Sequence, residues 1–400
     1  MAFPFDWKYR KSHIINQTSG AGANYQVLII VHYGNGTDYN ENTKSPPEGH
    51  VYLNGKCRTD FGDIRFSDDD GKTELDYWMK EKVEGDYAVF WVEIKDDLSS
   101  AQAKIYCYYG KNDATTTSDI KKTSLFNHGD DFEDGVRDSD LWDVTKDGIG
   151  TVSEAEGKVK YYSLDIAAYG GYISNSFHPA HDLEIITKIN NKNLHSAGLY
   201  INVEHHENWD PEAKGDFYCI ALQNSDDTCY VKRKVSGVKI TLYSDSWTDS
   251  ENDLKIRVEN GTISFFEGDA ERFSQPYALD TRDIYFVFIA RTASGFVGTD
   301  WFDYFFVRKF VDPEPTHGSW GSEETLKIIL EESLSIIAKL SFSFSKKLNE
   351  KLELLGTLST DWIHVPILVR ETIYTTLKSR FYVKILKERI VAYLKEKLEN

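Results

Sequence analysis

Apolar side chains recur along this chain in short runs interleaved with polar ones, and the runs fall into three blocks. Successive side chains of an extended segment point to opposite faces, so a period of two predicts strands with one buried side. In the first block the runs are residues 7–11, 24–29, 31–34, 89–92 and 105–110. The clearest stretch is 56–78, where Ile64 and Phe66 lead into Ser67-Asp68-Asp69-Asp70-Gly71 and Leu75, Tyr77 and Trp78 lead out. Those turn residues bond their own backbone and supply a glycine for a positive φ, so the stretch predicts strand, tight turn, strand.

The second block repeats short runs at intervals of about 10 residues. They are 172–177, 183–189, 199–203, 217–222, 230–234, 240–243, 254–258, 263–266, 284–289 and 301–310, with turns at Ser236-Gly237, Glu259-Asn260-Gly261 and Gly268-Asp269. Such spacing predicts a sandwich or jelly roll.

The third block alternates through residues 326–348, with Ile329 and Ile337 fitting a helix over 324–338 instead and strand favoured over 339–344. A further alternation through Ile373, Leu377, Phe381, Val383 and Ile385 precedes Ile390, Leu394 and Leu398, which suit a strand or a terminal helix. Only Gly356 and Pro366 interrupt it. Long amphipathic strands need partners along their edges, so this block is expected to pair with other copies of the chain.

The pattern therefore predicts an all-β protein: two tandem β-sandwich (jelly-roll-like) domains, residues 1–122 and 130–312, and a C-terminal β-rich oligomerisation segment, residues 325–400. Length agrees, since 400 residues make two or three domains at about 150 residues each. With 24 Tyr, 22 Phe and 9 Trp against 2 Met, composition also favours sheet. A formal charge of −18 argues against nucleic acid or an anionic membrane as partner. Lys and Arg outnumber Asp and Glu from Thr325 onward, which allows head-to-tail attraction between copies. No run reaches the ~18 apolar residues of a membrane helix, and the first ten residues lack the pattern of a signal peptide. A soluble chain is expected, either mature or assembled into a virion inside a cell.

Four cysteines fall two per domain, Cys57 with Cys107 and Cys219 with Cys229. The second pair flanks a turn at 223–227 and could face across a hairpin. Two disulfides and four buried thiols both fit, and neither pair has the C-x-x-C spacing of a metal site.

The runs of the first block, with the 56–78 stretch, resemble the domain of unknown function 2341 family over residues 5–118. That resemblance implies a β-sandwich module of microbial surface and secreted proteins, with no established chemistry. Residues 254–268, LKIRVENGTISFFEG, resemble the paired inner strands of concanavalin A-like and laminin G-like domains. Together the two resemblances imply an archaeal or viral surface protein that binds glycans, on an extracellular, cell-surface or virion-surface location.

A glycoside hydrolase on such a fold needs two carboxylates facing across a cleft. Glu184 lacks strand partners of that kind, so a non-enzymatic protein is expected, with hydrolysis the less favoured reading. The loop His205-His206-Glu207-Asn208-Trp209-Asp210 is the expected glycan site. Trp209 would stack on a sugar face while His205, His206 and Asp210 bond hydroxyls; a solvated loop is the plain alternative. Asp68-Asp69-Asp70 lacks calcium-loop spacing and reads as a turn, so no cofactor is expected; calcium at Asp226 and Asp227 is the less favoured reading, which the laminin G-like resemblance implies. The function expected is attachment through the middle sandwich with self-assembly through 325–400; the alternative is a filament subunit with no ligand.

Overall fold

In the computed structural model the described residues are 7–147, 150–164, 168–179, 181–205, 215–224, 226–247, 251–278, 283–293 and 297–326. All but the last two belong to the first of two units, Met1–Glu324. Of the expected strands and the alternative helix over 324–338, only residues 324–326 are described, and Glu324–Thr325 is a short strand; the rest of 325–400 lies outside the described residues.

The first block folds as β1 (Tyr9–Ile15), β2 (Tyr25–His32), β3 (Tyr39–Glu41), β4 (Glu48–Tyr52), β5 (Arg65–Ser67), β6 (Tyr77–Val83), β7 (Tyr87–Ile94) and β8 (Ala103–Tyr109). The second supplies β9 (Trp142–Asp147), β10 (Thr151–Glu154), β11 (Val159–Leu164), β12 (Ala168–Ser174), β13 (Leu183–Asn190), β14 (Ser196–Asn202) and β15 (Phe217–Gln223). It continues with β16 (Thr228–Val235), β17 (Val238–Ser246), β18 (Glu251–Glu259), β19 (Thr262–Glu267), β20 (Ala270–Pro276), β21 (Tyr285–Thr292) and β22 (Val297–Lys309). The all-β expectation is borne out.

Strands pair in the order β3-β4-β2-β7-β6 in one sheet of the first sandwich, and β1-β8-β5 in the other. That second sheet is extended by β23 (His317–Trp320), which arrives from beyond the second sandwich and pairs with β1. The β2–β4 ladder is parallel, so the two strands need a crossover rather than a hairpin. The second sandwich faces β10-β11-β22-β13-β18-β19-β20 against β17-β16-β15-β14-β21-β12-β9.

Each sandwich has its own core, around Ile29, Phe66, Phe90 and Ile105 in the first and Trp142, Ile185, Ile220, Phe288 and Phe305 in the second. A third cluster joins them. Leu28, Val89 and Trp91, on the outer faces of β2 and β7, pack with Trp78 and Ile120 on Ile186, Tyr304 and Phe306 from the outer faces of β13 and β22. This double burial is why β2 and β7 read as nearly unbroken apolar runs instead of alternating ones. Within the same interface Arg308 is fully buried; its Nε donates to Glu184 at 2.8 Å and its Nη2 to Glu314 at 3.3 Å, and Tyr25 donates to Glu314 at 3.1 Å.

Two expectations need correction. The 56–78 turn forms as predicted, with Asp70 Oδ1 accepting from the amides of Lys72 at 2.7 Å and Thr73 at 2.8 Å. Its arms, however, meet in a single bridge, Ser67 to Glu74, before parting: β5 pairs with β8 in one sheet and β6 with β7 in the other. The turn is thus a corner between sheets. The cysteine pairing across β15–β16 also fails, because the register sets Cys219 opposite Lys232 and Cys229 opposite Leu222. Cys229 lies in the inner core, while Cys219 belongs to a cluster on the outer face with Tyr200 and Phe217. Cys57 and Cys107 share the first core as free thiols, and burial pushes Cys57 up to about 12.

Candidate functional site

Where the outer face of the first sandwich meets the second, the apolar contact does not extend to the edge, and an open cleft of about 530 Å³ remains. Its floor is Leu28, Val89, Trp91 and Ile186. One wall comes from β2, β3 and β4, the other from Lys80, Asp253, Lys255 and Asp269. Clefts between domains are common ligand sites because two rigid surfaces converge there without having to close on each other.

Strand register builds the first wall. The antiparallel β3–β4 pair sets Glu41 opposite Glu48 and Tyr39 opposite His50. Tyr39 stacks on the His50 ring at 4.1 Å and 10° while remaining 41% exposed. The parallel β2–β4 pair brings in His32, whose Nε2 lies 3.0 Å from His50 Nδ1; Tyr52 stacks on the His32 ring at 4.4 Å. His50 Nε2 lies 3.2 Å from Glu48 Oε2. Lys44, on the turn between the strands, reaches back to Glu41 at 2.7 Å and Glu48 at 2.8 Å. Burial alone would raise the Glu48 carboxyl, but bonds from His50 and Lys44 hold it below the usual range. Burial and the neighbouring His50 push His32 down.

The opposite wall repeats the theme. Lys80 Nζ lies 2.9 Å from Asp253 Oδ2, and Tyr304 donates to Asp253 Oδ1 at 2.6 Å. Burial works to raise Asp253, yet Lys80 and Tyr304 keep it ionised and low. Lys255 pairs with the exposed Asp269 at 2.9 Å. The cleft thus presents rings, the half-buried Tyr87 among them, beside carboxylates and ammonium groups already held in place by partners. Such groups bond a neutral polar ligand without first having to be fixed in position.

None of these residues was singled out from the sequence. Residues 41–50 fall in none of the apolar runs, and only the pairing of β4 with both β2 and β3 turns Glu41, Glu48, His50 and His32 into neighbours. The periodic apolar runs carry no trace of that.

Of the expected glycan loop, His206, Trp209 and Asp210 lie outside the described residues. His205 follows β14, with Nε2 3.0 Å from Asp143 Oδ2 on β9 and its ring 5.2 Å from Tyr285 on β21. Asp143 also meets Arg137 at 3.5 Å, and Phe177, 58% exposed, packs edge-on to Tyr285 at 6.3 Å. Asp226 and Asp227, the calcium reading, lie in the turn between β15 and β16. Asp226 Oδ2 accepts from Tyr230 at 2.7 Å and Gln223 at 3.2 Å, and Asp227 sits at φ 52° in the β15–β16 turn, so both serve the turn. The grouping with ligand atoms within 4.8 Å of one another is instead Glu41, Glu48 and His50. Glu184 is 1% exposed, with both oxygens bound by Arg257 and Arg308; burial raises its carboxyl, but the two guanidinium groups hold it at about 2.

Among solved structures, the chain is similar to the carbohydrate binding module CBM66 from Bacillus subtilis, at 14% identity, 42% coverage of this chain, 97% of that one, and a TM-score of 0.31. It is similar to the Bacillus licheniformis beta-glucanase at 10% identity, 45% and 97% coverage, and a TM-score of 0.34. A Bacillus subtilis protein of unknown function with a galectin-like fold gives 10% identity, 46% and 94% coverage, and a TM-score of 0.35. These likenesses concern the β-sandwich fold. No curated protein matches the chain. Residues 60–145 match the model of the family described as Domain of unknown function (DUF2341), a span that starts before the corner turn and ends in β9.

Proposed function

We propose that this protein is a non-enzymatic, carbohydrate-binding attachment protein of a cell or virion surface that self-assembles through residues 325–400. The observation that supports glycan binding is the cleft between the sandwiches. A sugar has an apolar face of C–H groups and a rim of hydroxyls, and the cleft sets exposed rings beside prepositioned carboxylates and ammonium groups. Its acids Glu41, Glu48, Glu81, Asp253 and Asp269 outnumber Lys44, Lys80 and Lys255, which favours neutral over sulfated or sialylated glycans. The absence of catalysis is supported by the state of two of those acids, Glu48 and Asp253, and of the buried Glu184 outside the cleft: each is tied to a cation, which disfavours the protonated form that a general acid must supply.

Calorimetry and a glycan array on the folded protein test this reading. Binding of a neutral oligosaccharide is expected, weakened at least tenfold, about 1.4 kcal/mol, by Tyr87→Ala. A folded chain that binds no glycan overturns it. Removing 325–400 is expected to abolish assembly in sedimentation while leaving glycan binding intact.

A further inference from the structure

The wall of the cleft carries a feature that sugar recognition does not require. Glu41 and Glu48 are directly opposed across an antiparallel pair, an arrangement that destabilises a sheet unless a cation lies between them. His50, 5% exposed, completes a set of one imidazole and two carboxylates with ligand atoms within 4.8 Å of one another. The set stands on paired strands, not on a loose loop. His50 is held on both of its remaining sides, by the Tyr39 ring and by His32 behind its Nδ1. An imidazole ligand backed by a hydrogen-bonding partner is what metal sites use to fix ring orientation.

We propose that Glu41, Glu48 and His50 bind a divalent transition-metal ion, zinc in the first instance, and that the Lys44 ammonium holds its place when the ion is absent. Lys44 already sits 2.7 and 2.8 Å from the two carboxylates and is half exposed, so it can swing into solvent. The protons balance without gain or loss. Without the ion, His50 Nε2–H donates to Glu48 and His50 Nδ1 accepts from His32 Nε2–H. With it, the His50 Nε2 lone pair ligates, Nδ1–H donates to His32 Nε2, and the His32 proton resides on Nδ1. One nitrogen and two oxygen donors suit zinc, which takes imidazole and carboxylate together and keeps a fourth position for water or ligand. The ligands share the cleft wall invoked for glycan binding but do not include Tyr87, whose substitution tests that reading by itself.

Zinc titration of the full chain against a chromophoric chelator is the test, with circular dichroism confirming the fold of each variant. One zinc per chain is expected, weakened at least tenfold by Glu41→Gln and by His50→Gln. Lys44→Met is expected to tighten binding several-fold by removing the competing ammonium, a gain that a purely structural ion-pair cluster would not give. Loss of zinc binding in Tyr87→Ala is not expected, so failure of the glycan reading leaves this result readable. Wild-type protein that does not compete for zinc overturns the proposal. So does equal affinity across wild type, Glu41→Gln and Lys44→Met, which would mean an adventitious ion only.

Discussion

Arg308 illustrates how single residues hold this molecule together. It is 0% exposed, lies 5.1 Å over Trp91, and shares its charge between Glu184 and Glu314. Taking one member out of a buried charge network leaves the others uncompensated, which costs about 3–5 kcal/mol. Arg308→Ala is therefore expected to lower stability by that amount in urea unfolding, while Glu184→Gln with Arg308→Met, which removes charges of both signs, costs less. His128 makes the complementary case of a group buried neutral. It is 1% exposed, enclosed by Trp142, Phe286 and Phe305, with Nδ1 3.2 Å from His178 Nε2; Lys121 also opposes its charge and Asp138 favours it. Burial, with His178, pushes it down to about 3. The unfolded chain takes up the proton near pH 6.5 and the folded one does not, so its contribution is intact above pH 6.5 and is lost as pH falls below that value. The loss reaches about 3 kcal/mol by pH 4. His128→Phe is expected to flatten that part of the stability curve, and the imidazole resonances of His128 should show no titration between pH 7 and pH 4.

At the level of elements, the decisive fact is that β2, β7, β13 and β22 are buried on both faces. Trp91 and Phe306 lie 5.4 Å apart across the junction, and Trp78 meets Tyr304 at 5.2 Å. Truncating a buried tryptophan costs about 3–5 kcal/mol, and here the loss falls on the contact between sandwiches and not on either core. Trp91→Ala is expected to split a single thermal transition into two in calorimetry, whereas Ile29→Ala, within the first core, should destabilise without such splitting. Alternation did locate most strands of the second sandwich from β12 onward, because each sets a face on the core and turn residues separate them. It passed over β9 and β11, and also β3, β4, β10 and β20, which are short, polar or partly exposed and so lack the contrast that a period of two needs. The corner at Ser67–Gly71 shows a further limit: local turn chemistry specifies a reversal of the chain, not which sheet the second arm joins.

For the whole molecule, closure of the first sandwich depends on a segment that follows the second. β23 pairs with β1, His13 Nε2 lies 2.8 Å from His317 Nδ1, and the Trp320 ring stacks on His13 at 3.7 Å. A chain ending at residue 312, the predicted limit of the second sandwich, would leave that edge unpaired and remove Glu314 from the Arg308 network. Such a truncation is expected to lose hydrogen-exchange protection across β1 and β8, whereas one ending at 326 keeps it. Contacts of this sequence separation also imply slow folding, since long loops close before the pairing rewards them.

The sequence by itself determined the all-β class, most strand positions and the turn at Asp70, because alternation, aromatic and β-branched content and turn residues act over a few neighbouring positions. Only the tertiary structure decided the rest: which sheet each strand joins, that Cys219 and Cys229 face opposite ways, that the two sandwiches bury a shared apolar face, and that Glu41, Glu48, His50 and His32 converge on one cleft. Those outcomes depend on strand order and register between segments far apart in the chain, and a shift of one residue in register would have reversed every side chain on the strand.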